Sequence, residues 1–226
     1  MTYGYDIRNL SEKVAVEFME KHEIMGNMGL GVWHYGLFDI ENLISVVSYG
    51  VPCFSLNRTF IGKVANKFNC KVIQLCRGGI VPSAPKNIAS QLICGANHLL
   101  YKQHGNLIIA AYADPEFGEV GAVYQAANAL YLGMTNPKNQ SNYIVEEKWL
   151  SGWDVRKKYG TRNIEKLKKI DPNVKKYPLT PKYKYIFIKV PSIIRKKLLL
   201  EIHERKKTYP KKITENVRSY LPNNIV

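Results

Sequence analysis

An α/β domain carrying a basic C-terminal extension is the class that the sequence predicts, on three observations. Strand-like and helix-like periodicities alternate from Val72 onward, which implies a parallel strand pair joined by a right-handed crossover and hence a sheet flanked by helices. The run LIIAAYA, Leu107 to Ala113, is apolar without alternation, the signature of a strand buried on both faces. Charge is unevenly spread: residues 1–150 hold 12 Lys and Arg against 12 Asp and Glu, whereas residues 151–226 hold 21 against 6.

In chain order, Asn9 to His22 spaces Leu10, Val14, Val16 and Phe18 among charged residues, which suits a short amphipathic helix. GVWHYGLF (Gly31 to Phe38) and NLISVVSYGVP (Asn42 to Pro52) read as strands separated by the turn residues Asp39 to Glu41. A polar stretch of helical character, Asn57 to Asn69, leads to VIQLCRGGIVP (Val72 to Pro82), a strand whose Gly78-Gly79 pair suggests a bulge or a close approach by a ligand. Asn87 to Gln103 has helical periodicity through Ile88, Leu92, Ile93, Ala96 and Leu100. Gly105-Asn106 ends it, LIIAAYA follows, and Glu119 to Leu132 reads as the next helix, stopped by Gly133. Asn142 to Lys148 and Tyr183 to Val190 are strand-like, and Ile193 to Lys207 is a basic amphipathic helix. No internal repeat and no clean interdomain linker are visible.

Composition excludes several classes. An apolar share of 46% with 11% aromatic residues belongs to a folded chain and not to a disordered one. Cys53, Cys70, Cys76 and Cys94 form no CxxC pair, which argues against a zinc ribbon or a thioredoxin-like site and for reduced cytosolic thiols. The N-terminal MTYGYDIRNLSEK has no apolar core of a signal peptide, and no stretch approaches about 18 uninterrupted apolar residues; a soluble, intracellular protein is expected. In KKYPLTPKYKYIF, Lys175 to Phe187, cations alternate with rings as they do where phosphates and bases are both met. The competing reading of the basic third is a solvated surface kept for solubility.

Four features bear on chemistry, each with a plain structural alternative. His34 and Tyr35 are adjacent in a strand, where alternation sends them to opposite faces unless a bulge or the strand end turns them together; a lone strand histidine is more often structural. Arg77 ends a strand, and Asn87 and Ser90 open the next helix, where an anion can meet unpaired N–H groups; Asn87 is equally an ordinary N-cap. Asp114 closes a buried strand, the place where open parallel sheets bind ligands, although Asp-Pro is also turn chemistry. Tyr124, Asn128 and Tyr131, at i, i+4 and i+7, would share one helix face, where tyrosine is usually core.

At these residues the chain resembles the Mom family of bacteriophage DNA-modification proteins. The resemblance is carried by AYADPEFGEVGAVYQAANALYLG, with CRGGIVPSAPKNIASQLI upstream and KKYGTRN and PKYKYIF downstream, and spans roughly Gly31 to Phe187. It implies a divergent GNAT acetyltransferase fold, and an enzyme that adds a methylcarbamoyl group to the exocyclic amine of adenine in phage DNA and so hides restriction sites from host nucleases. The implied roles are an iron centre at His34, Tyr35, Asp114 and Tyr124, and acetyl-CoA binding or activity at Arg77 and Ser90, with Asn87 beside them. The rival role for Tyr124 is general acid to the departing CoA thiolate. Where ordinary GNAT enzymes carry a Gln/Arg-x-x-Gly-x-Gly/Ala pyrophosphate loop, this chain has VPSAPKNIAS.

The organisation expected is thus a GNAT-like mixed sheet flanked by helices over residues 1–150, followed by a basic part, 151–226, that completes the sheet and adds a DNA-binding surface through Lys157, Lys158, Arg162, Lys182 and Lys184. The partners implied are double-stranded DNA and acetyl-CoA, with no membrane; a homodimer is left open, and the compartment is the cytoplasm of the infected bacterial host. Three rivals stand beside this reading. A conventional GNAT acyltransferase acting on a protein or small amine would not need the basic third. An adenine methyltransferase is only faintly echoed by Asp114-Pro115-Glu116-Phe117 and lacks a Phe-x-Gly-x-Gly loop. A non-catalytic DNA-binding protein would not need the four polar site residues.

Overall fold

A computed structural model of the chain describes residues 5–24, 26, 28–52, 59–136 and 141–213. Cys53 and the beginning of the helix expected at Asn57 lie outside the described residues. The chain forms two units, one made of Met1–Ala113, Gly121–Gly133 and Lys184–Tyr209, the other of Asp114–Val120, Met134–Tyr183 and Pro210–Val226. The division therefore does not fall at residue 150: the chain leaves the larger unit and re-enters it twice.

The larger unit begins with a short strand that periodicity did not reveal, β1 (Asp6–Asn9), and α1 (Glu12–His22). Ser11 starts α1 by accepting a hydrogen bond from the Val14 amide, satisfying one of the donors that a helix N-terminus leaves open. The hairpin of β2 (Trp33–Asp39) and β3 (Asn42–Gly50) turns at Ile40, whose φ is 57°. Next come α2 (Phe60–Lys67), capped by Thr59, β4 (Lys71–Ile80), α3 (Ile88–His104) and β5 (Leu107–Ala113).

Helix α4 is only Ala122–Ala126, and Leu130–Met134 is a strand, β6. The helix expected over Glu119 to Leu132 is cut by Asn128 at φ 60°, a left-handed conformation that Asn tolerates. Tyr124, Asn128 and Tyr131 therefore do not share a helix face. The unit closes with β10 (Tyr183–Lys189) and α7 (Ser192–Ile202). Its seven strands run in the order β1-β2-β3-β4-β5-β10-β6, antiparallel from β1 to β4 and parallel between β4 and β5. This is the α/β class with a mixed sheet flanked by helices that the sequence predicts.

Helices cover both faces. On one face Ala15, Phe18 and Met19 of α1 pack with Val46, and Ile61 and Val64 of α2 and Leu198 and Ile202 of α7 pack with Ile108, Ala110, Ile186 and Ile188; α3 covers the other, where Asn97 meets Tyr49. Strand alternation sends Ile109, Tyr185 and Phe187 to this second face. None of the described helices is long and apolar enough to cross a membrane.

The smaller unit holds a second sheet, β8-β7-β9, made of β7 (Ser141–Val145), β8 (Lys148–Ser151) and β9 (Lys175–Pro178). The β7–β8 turn is Glu146-Glu147, both at positive φ, and Asp171 steadies it by accepting from the Glu146 amide. Helices α5 (Gly152–Tyr159) and α6 (Ile164–Lys168) bring Val155 and Leu167 onto Tyr143 and Val145 as a core of its own.

Candidate active site

The larger sheet opens between its two parallel strands. β4 and β5 pair only from Lys71–Leu107 to Gln74–Ala110, after which β4 continues along β3 as far as Ile80. Between Ser48–Arg77 and Tyr49–Leu75 the register against β3 slips by one residue, so Cys76 is an extra residue in β4. Such a bulge bends its strand. The Gly78-Gly79 pair is not the bulge; Gly79 instead lies under α1, where a Cβ would press on the His22 backbone and the Met19 sulfur.

Beyond the parting, α3 begins at Asn87, which sits in the left-handed region at φ 69° and makes no side-chain cap bond. Ser90 Oγ donates to the Asn87 carbonyl at 2.9 Å and is buried. Its hydroxyl thus shapes the helix start, and the backbone N–H groups of the first turn are capped by no Asn87 side chain. Arg77 goes elsewhere. It pairs with Glu23 at 3.5 Å and lies against Gly29, on the α1 side of the sheet.

On the α3 face a layer of tyrosines lines the sheet. Tyr35 and Tyr49 meet edge to face at 6.0 Å, and Tyr49 donates to Asn97 Oδ1 at 2.9 Å. Tyr124 lies 5.5 Å from Tyr185 and 6.3 Å from Phe187, and Tyr131 lies 5.1 Å from Tyr185. Burial pushes the Tyr35 phenol up, and pushes that of Tyr49 well up with added repulsion from Tyr35, Tyr124 and Cys94. These two groups are neutral hydrogen-bonding phenols at physiological pH. Asn97 is 1% exposed and its Nδ2 has no partner, an unusual state for a buried donor. Tyr49, Asn97 and Cys76 were not singled out from the sequence, because nothing local distinguishes them; the pairing that gathers them is long-range.

His34 faces the other way. No bulge falls between it and Tyr35, so strand alternation places them on opposite faces. His34 Nδ1 shares a hydrogen bond with Ser48 Oγ at 2.9 Å, and burial lowers its pKa, against a smaller upward pull from Glu12. Asp114 caps the 3-10 turn Pro115–Phe117 by accepting from the Glu116 amide, and its other oxygen is 2.5 Å from Lys182 Nζ.

Of the expected iron set of His34, Tyr35, Asp114 and Tyr124, the adjacent His34 and Tyr35 are therefore not brought to one face. The Asp114 carboxylate is engaged within the smaller unit. Among the described residues no group of three or more His, Cys, Asp or Glu could hold a metal ion.

The expected DNA-contacting cations differ in how free they are. Lys157 lies 5.1 Å from the Trp153 ring, and Lys157 and Arg162 are exposed. Lys158 is matched by Glu146 at 2.7 Å, and Lys182 by Asp114. Lys184 belongs to the larger unit, half-buried, its pKa lowered by burial and by Arg205. A cavity of about 410 Å³, lined in part by Trp33, Asn66, Lys71 and His104, opens at the opposite end of β4 from the parting and contains none of the expected site residues.

Comparison with known proteins bears on family. The sequence pattern of the Mom protein family matches residues 4–211. No curated protein matches the chain. Among solved structures, a Drosophila melanogaster polyamine N-acetyltransferase is similar over 82% of this chain and 100% of its own at 8% identity and a TM-score of 0.44. A Bacillus subtilis acetyltransferase in complex with CoA is similar over 82% and 98% at 7% identity and 0.43. Arabidopsis thaliana NAA60 in complex with acetyl-CoA is similar over 81% and 98% at 11% identity and 0.41.

Proposed function

Because the chain belongs to the Mom protein family, we propose that it modifies phage DNA by transferring an acyl-derived group of methylcarbamoyl type to the exocyclic amine of adenine, protecting the DNA from host restriction. The observation that carries the reading is the parting of β4 from β5 just before the Cys76 bulge, with the uncapped start of α3 following β4. A helix N-terminus of this kind accommodates a pyrophosphate, and acetyl-CoA is the proposed donor, with its thioester in the parting. Ser90 acts through the backbone, holding Asn87 so that the α3 amides stay available.

Adenine's amine is a poor nucleophile because its lone pair is delocalised into the ring. Transfer to it from acetyl-CoA forms a bond from nitrogen to the thioester carbonyl carbon and breaks the carbon–sulfur bond; the nitrogen loses a proton and the thiolate gains one. This step yields an acetylated amine, and the second nitrogen of a methylcarbamoyl group enters from a separate amine donor. Tyr124 is the proposed donor of that proton, since its phenol stands on the α3 face and needs no metal for the role. The polar groups Asn97 Nδ2 and Tyr49 on the same face supply directional contacts in an otherwise apolar wall. No step is assigned to iron.

Mass spectrometry of nucleosides from DNA of cells expressing the protein tests the reading. A modified deoxyadenosine is expected, and its mass separates an acetyl from a methylcarbamoyl adduct. Unmodified DNA, with acetyl-CoA consumed on adding small amines, would replace this reading with conventional amine acylation.

A further inference from the structure

The smaller unit carries an aromatic face that the proposed transfer does not use. In its sheet Ile144 is opposite both Trp149 and Lys175, and Asn142 is opposite both Ser151 and Tyr177. Residues directly opposite share a face, so Trp149, Ile144, Lys175 and Tyr177 stand on one side of the sheet. The other side belongs to the core of Tyr143, Val145, Val155 and Leu167.

On the first side Trp149 is 42% exposed, and its ring lies 5.2 Å from that of Tyr177 at an interplanar angle of 44°. The two rings make one continuous aromatic surface. The unit is basic: residues 141–183 hold 11 Lys and Arg against 5 Asp and Glu, and Lys175 is exposed on this side, whereas Lys148 and Lys176 are opposite Val145 and Tyr143 on the other. Trp153, 68% exposed under the Lys157 ammonium, adds a second aromatic and cation pairing in the same unit.

Exposed rings among cations match a polyanion that also offers flat π-faces. Duplex DNA hides those faces in its stack, and an acidic protein does not offer a row of them. We infer that this face binds an unpaired stretch of DNA, with bases stacked on Trp149 and Tyr177 and phosphates met by Lys175. The inference rests on the proposed function only for the identity of the strand. An enzyme acting on a base amine must take that base out of the helix, and a platform for unstacked bases would hold the opened strand.

The test compares full-length wild type, Trp149→Ala, Trp149→Phe and Lys175→Gln, all checked for native circular dichroism. Each is titrated with a single-stranded oligonucleotide of about 16 nucleotides, the duplex of the same sequence, heparin and anionic phospholipid vesicles. Trp149→Ala is expected to weaken single-strand binding about tenfold while leaving heparin affinity unchanged; Trp149→Phe keeps most of the binding; Lys175→Gln weakens both. Equal single-strand affinity in Trp149→Ala and wild type overturns the inference. So does equal loss of heparin binding in Trp149→Ala, or wild-type binding to vesicles and not to the oligonucleotide. These affinities are read without any adenine modification, so failure of the proposed transfer and failure of the platform are separate outcomes.

Discussion

At Tyr124 a single oxygen atom separates packing from chemistry. The ring is held by Tyr185 and Phe187, contacts that Tyr124→Phe keeps, so stability should change by no more than about 1.5 kcal/mol in denaturant unfolding. Adenine modification should nevertheless fall by about a hundredfold or more, the usual worth of a general acid, in nucleoside mass spectrometry. A full yield from the folded variant would return Tyr124 to a packing role. His34 carries a different expectation. Its pKa is depressed below the ordinary 6.5 by burial, so its contribution to stability is present above that pH and is lost as pH falls through the folded value. His34→Gln should flatten the decline in Tm between pH 6.5 and the acid limit; an unchanged slope would mean that His34 does not drive it. Because His34 and Tyr35 leave opposite faces, iron content by elemental analysis should be the same in wild type and His34→Ala. A drop in the variant would require the strand to turn both side chains to one side.

At the scale of elements, the start of α4 depends on one glycine. Gly121 has φ 78°, and a Cβ there would overlap the Tyr185 ring, whose hydroxyl accepts from Gln125 of the same helix at 3.0 Å. Gly121→Ala combines backbone strain with overpacking and should cost about 1–3 kcal/mol, read as a lowered midpoint of chemical denaturation. A neutral effect would show that α4 can shift freely over Tyr185. Why β6 reads as helix in the sequence is also local: ALYLG following VYQAAN carries apolar residues at spacings that suit either period, and short apolar runs do not distinguish the two. The chain is turned into a strand by Asn128 at positive φ and by the open edge of β10 beside it.

For the whole molecule, the positive charges in excess are unevenly available. Lys157 and Arg162 are exposed, as are Lys175 and Lys176, whereas Lys158 and Lys182 already face carboxylates and Lys184 is half-buried beside Arg205. Neutralising Lys157, Arg162, Lys175 and Lys176 together should weaken duplex binding and lower the slope of log K against log salt by about 0.9 for each phosphate that is no longer neutralised. Lys158→Gln with Lys182→Gln should change that slope little. The reverse ranking in a salt titration would show that the paired lysines are the ones that leave their carboxylates for phosphate.

The sequence by itself determined the α/β class, the family, the buried strand Leu107 to Ala113 and the helix that follows β4, because each is written in contiguous periodicity or in a run of matched residues. It also marked the segments on which the proposed site is built, since Asn87 and Ser90 fall at the start of α3 and Tyr124 falls in α4. Only the tertiary structure decided which way the side chains face. Whether His34 joins Tyr35 depends on where a bulge falls, and the register shifts of the β2–β3 and β3–β4 pairs fall instead between Leu37 and Phe38 and at Cys76. The same holds for Tyr49 and Asn97, 48 residues apart along the chain and joined by one hydrogen bond. The short strands of the smaller unit were equally hidden: β8 and β9, of four residues each, become strands through the ladder that β7 offers, and their own sequences carry too few residues to show a period.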